Sequence, residues 1–180
     1  MDKNKKLAKI SAILNIAGNL LLLLILSDTF VYRFFYYSYY LIEDLIRFGF
    51  KFLIDPSVIA FLSTNVFTII LMALCLTSIS FSISSLTNLE NPTINNRKTK
   101  ISLLIYSIVN FITPIFIPYF IYSTTVNYYY SDPTLMGNIL VILTVVAGIT
   151  FALISSILAF VSMKKLKKQN IEQPIQTIQE

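Results

Sequence analysis

The sequence predicts an all-α protein that crosses a membrane as four helices, with both termini on the cytoplasmic side. Three observations lead to this prediction. Of the 180 residues, 56% are hydrophobic and only 13% are charged, whereas about a quarter of the residues in a soluble domain are charged. The apolar residues fall into four long runs. Lys and Arg residues collect on one side of the topology that these runs imply.

Each apolar run is long enough to cross a bilayer, which takes about 20 residues of helix. Their approximate bounds are residues 10–31, 57–87, 101–126 and 134–163. Inside them the only charged residue is Asp28, near the end of the first run. In lipid, the polar groups of the backbone have to be satisfied within the segment itself, so a helix is the predicted structure of each run. Residues 1–180 are therefore predicted to form a single transmembrane domain.

The basic residues predict the orientation of these spans. Eleven of the 14 Lys and Arg residues fall in three segments, residues 1–9, 88–100 and 163–180. The other three are Arg33, Arg47 and Lys51. Because basic segments stay on the cytoplasmic side, we expect both termini to be cytoplasmic and the protein to lie in the plasma membrane.

Two basic segments are thus expected inside the cell, a loop over residues 88–100 and a polar tail over residues 164–180. The tail begins with four lysines, Lys164, Lys165, Lys167 and Lys168. We interpret them as an orientation signal, with contact to anionic lipid or a cytoplasmic protein as the alternative. The net charge of +5 is accounted for by residues next to apolar spans, which disfavours nucleic acid as a partner.

The outer connection, residues 28–55, is dense in aromatic residues, which prefer the headgroup level of a membrane. Eight of them fall in one short stretch: Phe30, Tyr32, Phe34, Phe35, Tyr36, Tyr37, Tyr39 and Tyr40. Further on, apolar residues recur at helical spacing at Leu41, Leu45, Phe48 and Phe52. We expect an amphipathic helix at the outer surface. The segment is either an aromatic belt or a recognition surface for an extracellular partner.

The two halves of the chain resemble each other, which suggests two tandem helical hairpins. Residues 9–11 and 100–102 share the sequence Lys-Ile-Ser, and Asn19 and Asn110 follow at the same distance. An Asp-Pro pair opens both even-numbered runs, and the two pairs are 77 residues apart. Asp-Pro is also a common start of a helix, so capping alone is an alternative explanation of that second match.

Small residues form a stripe on each even-numbered run. In the fourth run they alternate at spacings of four and three, at Gly148, Ala152, Ser155, Ala159 and Ser162. A shift of 77 residues gives Leu71, Cys75, Ser78, Ser82 and Ser85 in the second run. Small side chains let helix backbones approach closely in lipid. We therefore expect the two helices to pack against each other or to occupy equivalent seams.

A possible polar pocket is indicated inside the membrane. Asn15 and Asn19 lie one helical turn apart in the first run, and Asn110 lies in the third. Pro114 removes the backbone donor that would bond the carbonyl of Asn110, so a kink is expected there. These groups either hold the helices together through hydrogen bonds or form a ligand or ion site.

The chemistry that most enzymes use is missing from the sequence. It contains no histidine, one cysteine and no acidic residue in the interior of a span, so we expect no catalytic site, no cofactor and no metal. The leading hypothesis is a non-enzymatic accessory, scaffold or immunity-type protein that acts through helix packing and contact with another membrane protein or a second copy. The alternative is a small, oligomeric transporter or channel with a polar path near the three asparagines.

Overall fold

Four α-helices make up the described part of the chain. The computed structural model describes residues 3–49, 56–90, 96–128 and 135–172. The helices are α1 (Lys3–Phe48), α2 (Pro56–Glu90), α3 (Asn96–Tyr128) and α4 (Leu135–Glu172). Each contains a stretch long and apolar enough to cross a membrane: Lys5–Asp28, Phe61–Glu90, Arg97–Phe116 and Ile142–Lys164. The all-α class and the four membrane-length helices are confirmed.

The first helix is longer than the predicted span. With 46 residues and a rise of 1.5 Å per residue, α1 is about 69 Å long. No glycine or proline lies between Asp28 and Phe48, and α1 ends next to Gly49, whose φ of 65° fits the left-handed conformation that commonly ends a helix. The segment after Asp28 is therefore helical, but it continues α1 without a break. Its position at the membrane surface stays a prediction.

The other helices also extend into predicted connections. Residues 88–90 belong to α2, residues 96–100 to α3 and residues 164–172 to α4. These positions contain no glycine or proline, so nothing in the local sequence stops the helices there. The two Asp-Pro pairs fall almost wholly in residues 50–55 and 129–134, which lie outside the described residues.

The four helices form a ring in chain order. Helix α1 packs against α2 and α4, and α3 packs against the same two helices. The α1–α4 contact is the most extensive. Helices α1 and α2 are antiparallel, since Lys9 Nζ lies 2.9 Å from Glu90 Oε1 and Asn15 Nδ2 donates to Ser82 Oγ. Among the described residues the backbones of α2 and α4 do not come close to each other, so their stripes of small residues lie on separate seams.

The interior is unusually polar and the exterior apolar. Sixteen polar side chains are buried among the described residues, compared with 13 apolar ones. Outward-facing side chains such as Leu24 and Ile115 are 66% and 71% exposed. Such a surface would be unfavourable in water, whereas lipid can cover it. The distribution is compatible with a multi-pass membrane protein.

Candidate functional site

Three asparagines meet at the centre of the ring. Asn15 and Asn19 lie one turn apart on α1, Asn110 lies on α3, and none of the three is exposed. Asn19 Nδ2 donates to Asn110 Oδ1 at 3.1 Å, and Asn110 Nδ2 donates to Asn15 Oδ1. The structure therefore brings together the three residues that the sequence grouped. Pro114 is only half-buried, one turn beyond Asn110.

Serines from α2 and α4 complete this group. Asn15 Nδ2 donates to Ser78 Oγ at 2.9 Å, and Ser78 Oγ donates to Asn110 Oδ1 at 2.8 Å. On the other side, Asn110 Nδ2 lies 3.4 Å from Ser155 Oγ. All four helices thus contribute to one network, here called the central polar cluster: Asn15, Asn19, Ser78, Ser82, Asn110 and Ser155.

The central polar cluster is uncharged and nearly self-sufficient. It lies close to the midpoint of each apolar stretch, where an unpaired polar group is costly. All three amide nitrogens have acceptors within the bundle. The exception is Asn19 Oδ1, which is buried without a partner among the described residues. Amides and hydroxyls can bind neutral polar groups, but they do not exchange protons readily at neutral pH.

A second polar contact lies one turn towards the start of α1. Ser11 Oγ is 2.6 Å from the hydroxyl of Tyr106 and donates to the carbonyl of Ser155 at 2.7 Å. Ser11 and Tyr106 are both fully buried. This contact was not expected from the sequence. Only the presence of a tyrosine inside an apolar run could have indicated it, since a buried tyrosine hydroxyl usually has a hydrogen-bond partner.

Helices α1 and α4 approach most closely at a pair of glycines. A β-carbon added to Gly18 would lie 2.9 Å from the carbonyl oxygen of Gly148 and 3.0 Å from the nitrogen of Ala152. One added to Gly148 would lie 2.9 Å from Leu22 and 3.1 Å from the carbonyl oxygen of Gly18. The two backbones are therefore in direct contact. Gly148 and Ala152 were expected at a packing surface, whereas Gly18 was not, although Gly18 is one of only four glycines in the chain.

Every residue of both stripes is buried inside the bundle. The α4 stripe consists of Gly148, Ala152, Ser155, Ala159 and Ser162. The α2 stripe consists of Leu71, Cys75, Ser78, Ser82 and Ser85, each at most 1% exposed. The small residues are thus used for packing within one chain. Among the tail lysines, Lys164 is exposed, and the side chains of Lys165, Lys167 and Lys168 lie outside the described part of the structure.

Metal-ligand geometry and similarity to known proteins identify no further feature of the site in the described residues. Within the described ranges, no three His, Cys, Asp or Glu side chains lie close enough to hold a metal ion. Comparison with protein-family models, with curated proteins and with solved structures found no match. The site is therefore characterised by its geometry, which is an uncharged hydrogen-bonded network at the centre of four apolar helices.

Proposed function

We propose that this protein is a non-enzymatic integral protein of the plasma membrane, an accessory, scaffold or immunity-type subunit that acts through helix packing and contact with a partner. One observation carries the proposal: the polar groups and small residues of the interior are used in contacts within the chain. Asn15, Asn19 and Asn110 bond to each other, and Gly148 packs on Gly18. Contact with a partner then has to use the outward-facing sides of the helices.

The outer end of α1 offers such a side. Five apolar side chains recur there at spacings of four, four, three and four, and they are 52–79% exposed. This outer stripe consists of Val31, Phe35, Tyr39, Ile42 and Ile46. It lies beyond the apolar stretch that ends at Asp28. Another membrane protein, a second copy or the headgroup layer are the partners that such a surface would suit.

Purification from the native membrane after crosslinking tests the proposal. Mass spectrometry should find a stoichiometric partner with the wild-type chain, and the double variant F35A/Y39A should lose that partner because 69–71% of these two side chains is exposed. The matched control is I154A/I157A on the outward face of α4, where the side chains are 42% and 58% exposed, and it should keep the partner. Recovery of a lone monomer from wild type would refute the proposal.

The orientation with both termini in the cytoplasm is part of this proposal. This orientation is supported by the 11 Lys and Arg residues in the segments assigned to the cytoplasmic side, since basic segments stay on that side. In a C75A background, a membrane-impermeant maleimide should label I46C in intact cells. The variant K164C should react only after lysis, because Lys164 lies at the other end of the bundle. The reverse pattern would show that the topology is inverted.

A second candidate function is a small transporter or channel, which the position of the central polar cluster favours. Uncharged hydrogen-bonding groups lie midway along four membrane-length helices, where substrate sites of transporters are commonly found. Flux of a neutral solute into proteoliposomes should be lost in N110L. It should persist in N65L, because the Asn65 side chain bonds to Phe61 on its own helix. Equal flux in both variants, or none with wild type, would count against this candidate.

A further inference from the structure

The two halves of the chain have the same pattern of burial. Residues of α1 and α3 that lie 91 positions apart are buried together at seven pairs: 8 and 99, 11 and 102, 12 and 103, 15 and 106, 18 and 109, 19 and 110, and 22 and 113. In α2 and α4, a shift of 77 positions superimposes the two stripes, all ten residues of which are buried. The helices that correspond lie diagonally across the ring.

Equivalent residues also make equivalent contacts. Asn19 Nδ2 lies 3.3 Å from Ser78 Oγ between α1 and α2, and Asn110 Nδ2 lies 3.4 Å from Ser155 Oγ between α3 and α4. The two asparagines bond to each other across the centre at 3.1 Å. This is the geometry of two hairpins, α1–α2 and α3–α4, related by an approximate twofold axis that passes through the central polar cluster.

The two seams between these hairpins nevertheless differ. At the α1–α4 seam, Gly18 and Gly148 bring the backbones into contact, and this helix pair has the most extensive contact in the bundle. The equivalent positions at the α2–α3 seam are Leu71 and Val109, both buried. A leucine and a valine at these positions do not permit the direct backbone contact that two glycines permit. Exact symmetry would make the two seams equal, but the α1–α4 seam is packed more closely than the α2–α3 seam.

We propose that the hairpins part along the α2–α3 seam, with the α1–α4 glycine crossing as the hinge, and that the central polar cluster is then a site for a small uncharged solute. Parting breaks the Ser78–Asn110 bond of 2.8 Å and the Ser84–Ser102 contact of 3.5 Å at this seam. The bonds of Asn110 to Asn15 and Asn19 and the Ser11–Tyr106 contact also join the two hairpins, so they have to break or lengthen. The groups released are hydroxyls and amides, which hydrogen-bond to amide or alcohol groups. The buried, unpartnered Asn19 Oδ1 supplies an acceptor for such a solute. This motion and the binding of a solute do not require that the solute crosses the membrane.

The pair Ser78 and Ser155 gives a matched test, since both are fully buried and occupy equivalent positions on different seams. In a C75A background, S78C and S155C are nearly isosteric changes. Iodoacetamide, itself a small neutral amide, is applied to the protein in native-like lipid. We expect S78C to react at least about tenfold faster than S155C, because local opening determines the reactivity of a buried group. Equal rates, a faster S155C, or no reaction of S78C before denaturation would overturn the inference.

Two further measurements test the opening of the seam and the solute site separately, and a third is the control for folding. Unchanged elution from a sizing column in detergent shows that the variants fold. A disulfide between S84C and S102C, positions whose hydroxyls are 3.5 Å apart, should lower the rate of S78C to that of S155C. An excess of acetamide should also slow S78C. Continued fast labelling of S78C with the disulfide in place would refute opening along the α2–α3 seam. Absence of protection by acetamide would refute the solute site.

Discussion

The centre of the bundle and the outer end of α1 differ in both burial and polarity. The central polar cluster is fully buried and bonds almost entirely to itself. The outer stripe is apolar, 52–79% exposed, and lies on a helix that runs 20 residues past its apolar stretch. With the helices packed together, the first region leaves few groups for other molecules, whereas more than half of the side-chain surface of the second is open to them.

This difference indicates which region holds the fold and which is free to act. In a bilayer, apolar side chains gain little by leaving lipid for a helix interface, so close backbone packing and hydrogen bonds have to hold the helices together. The Gly18–Gly148 crossing and the central polar cluster supply both. The ring contacts described for the outer stripe, Phe35 with Phe34 and Tyr39 with Tyr40, are made within α1 itself, so these side chains can change without loss of the contacts between helices.

The largest effect is expected at the glycine crossing. In G148L the first added carbon would lie 2.9 Å from Leu22 and 3.1 Å from the backbone of Gly18. The helices have to separate, which should cost about 3 kcal/mol in the free energy of unfolding. Chemical denaturation in detergent measures this. The control A73L makes a similar enlargement at an exposed alanine of α2, and equal losses in both variants would contradict the importance of the crossing.

A somewhat smaller loss is expected in the central polar cluster. N110L removes bonds to Asn15, Asn19 and Ser78 and leaves the buried Ser78 hydroxyl without its acceptor, so unfolding should become easier by about 2 kcal/mol. The same denaturation assay is used. N65L is the control, because the Asn65 side chain bonds within its own helix. If the two variants lost the same amount, the cluster would be no more stabilising than an ordinary intrahelical bond.

The ion pair between Lys9 and Glu90 should matter little. Its atoms are 2.9 Å apart, but the side chains are 41% and 68% exposed. E90Q should therefore reduce stability by only about 0.5 kcal/mol. The difference from wild type should vanish at high salt, where such pairs are screened. A loss that persists at high salt would mean that this end of the bundle is packed more tightly than its exposure indicates.

The smallest effect on folding is expected at the outer stripe. Phe35 is 71% exposed, so F35A should change the free energy of unfolding by less than about 0.5 kcal/mol. L22A, at a side chain that is 2% exposed on the same helix, should be clearly destabilised because it leaves a cavity. Thermal unfolding of the two variants measures the contrast, and a strongly destabilised F35A would remove the distinction between the two regions.

Most of the fold could be predicted from the sequence because membrane spans depend on local composition. Runs of apolar residues specify the helices, and the one-turn spacing of Asn15 and Asn19 indicates a shared side. The length of α1 was harder to predict, because an aromatic segment without glycine or proline can continue a helix or form a separate one. The sequence favoured the second, whereas the structure has the first up to Phe48.

The pairing of helices was less predictable, since a periodic pattern shows which side of a helix packs but not what lies opposite. The stripe on α4 left two arrangements open. In the structure the α4 stripe faces α1, and Gly148 packs against Gly18. Tyr106 and Ser11 were missed for the same reason, because their contact joins positions 95 residues apart on helices that meet only at the centre of the ring.

The most direct test of a fold held together at its polar centre is a double-mutant cycle between Asn19 and Asn110. These residues lie on diagonal helices, which contact each other much less than neighbouring helices do, and a 3.1 Å hydrogen bond joins the two side chains directly. The free energies of unfolding of N19L, N110L and N19L/N110L should show a coupling of about 1–2 kcal/mol. Additive losses within about 0.3 kcal/mol, which is typical of independent sites, would contradict a fold held at its centre.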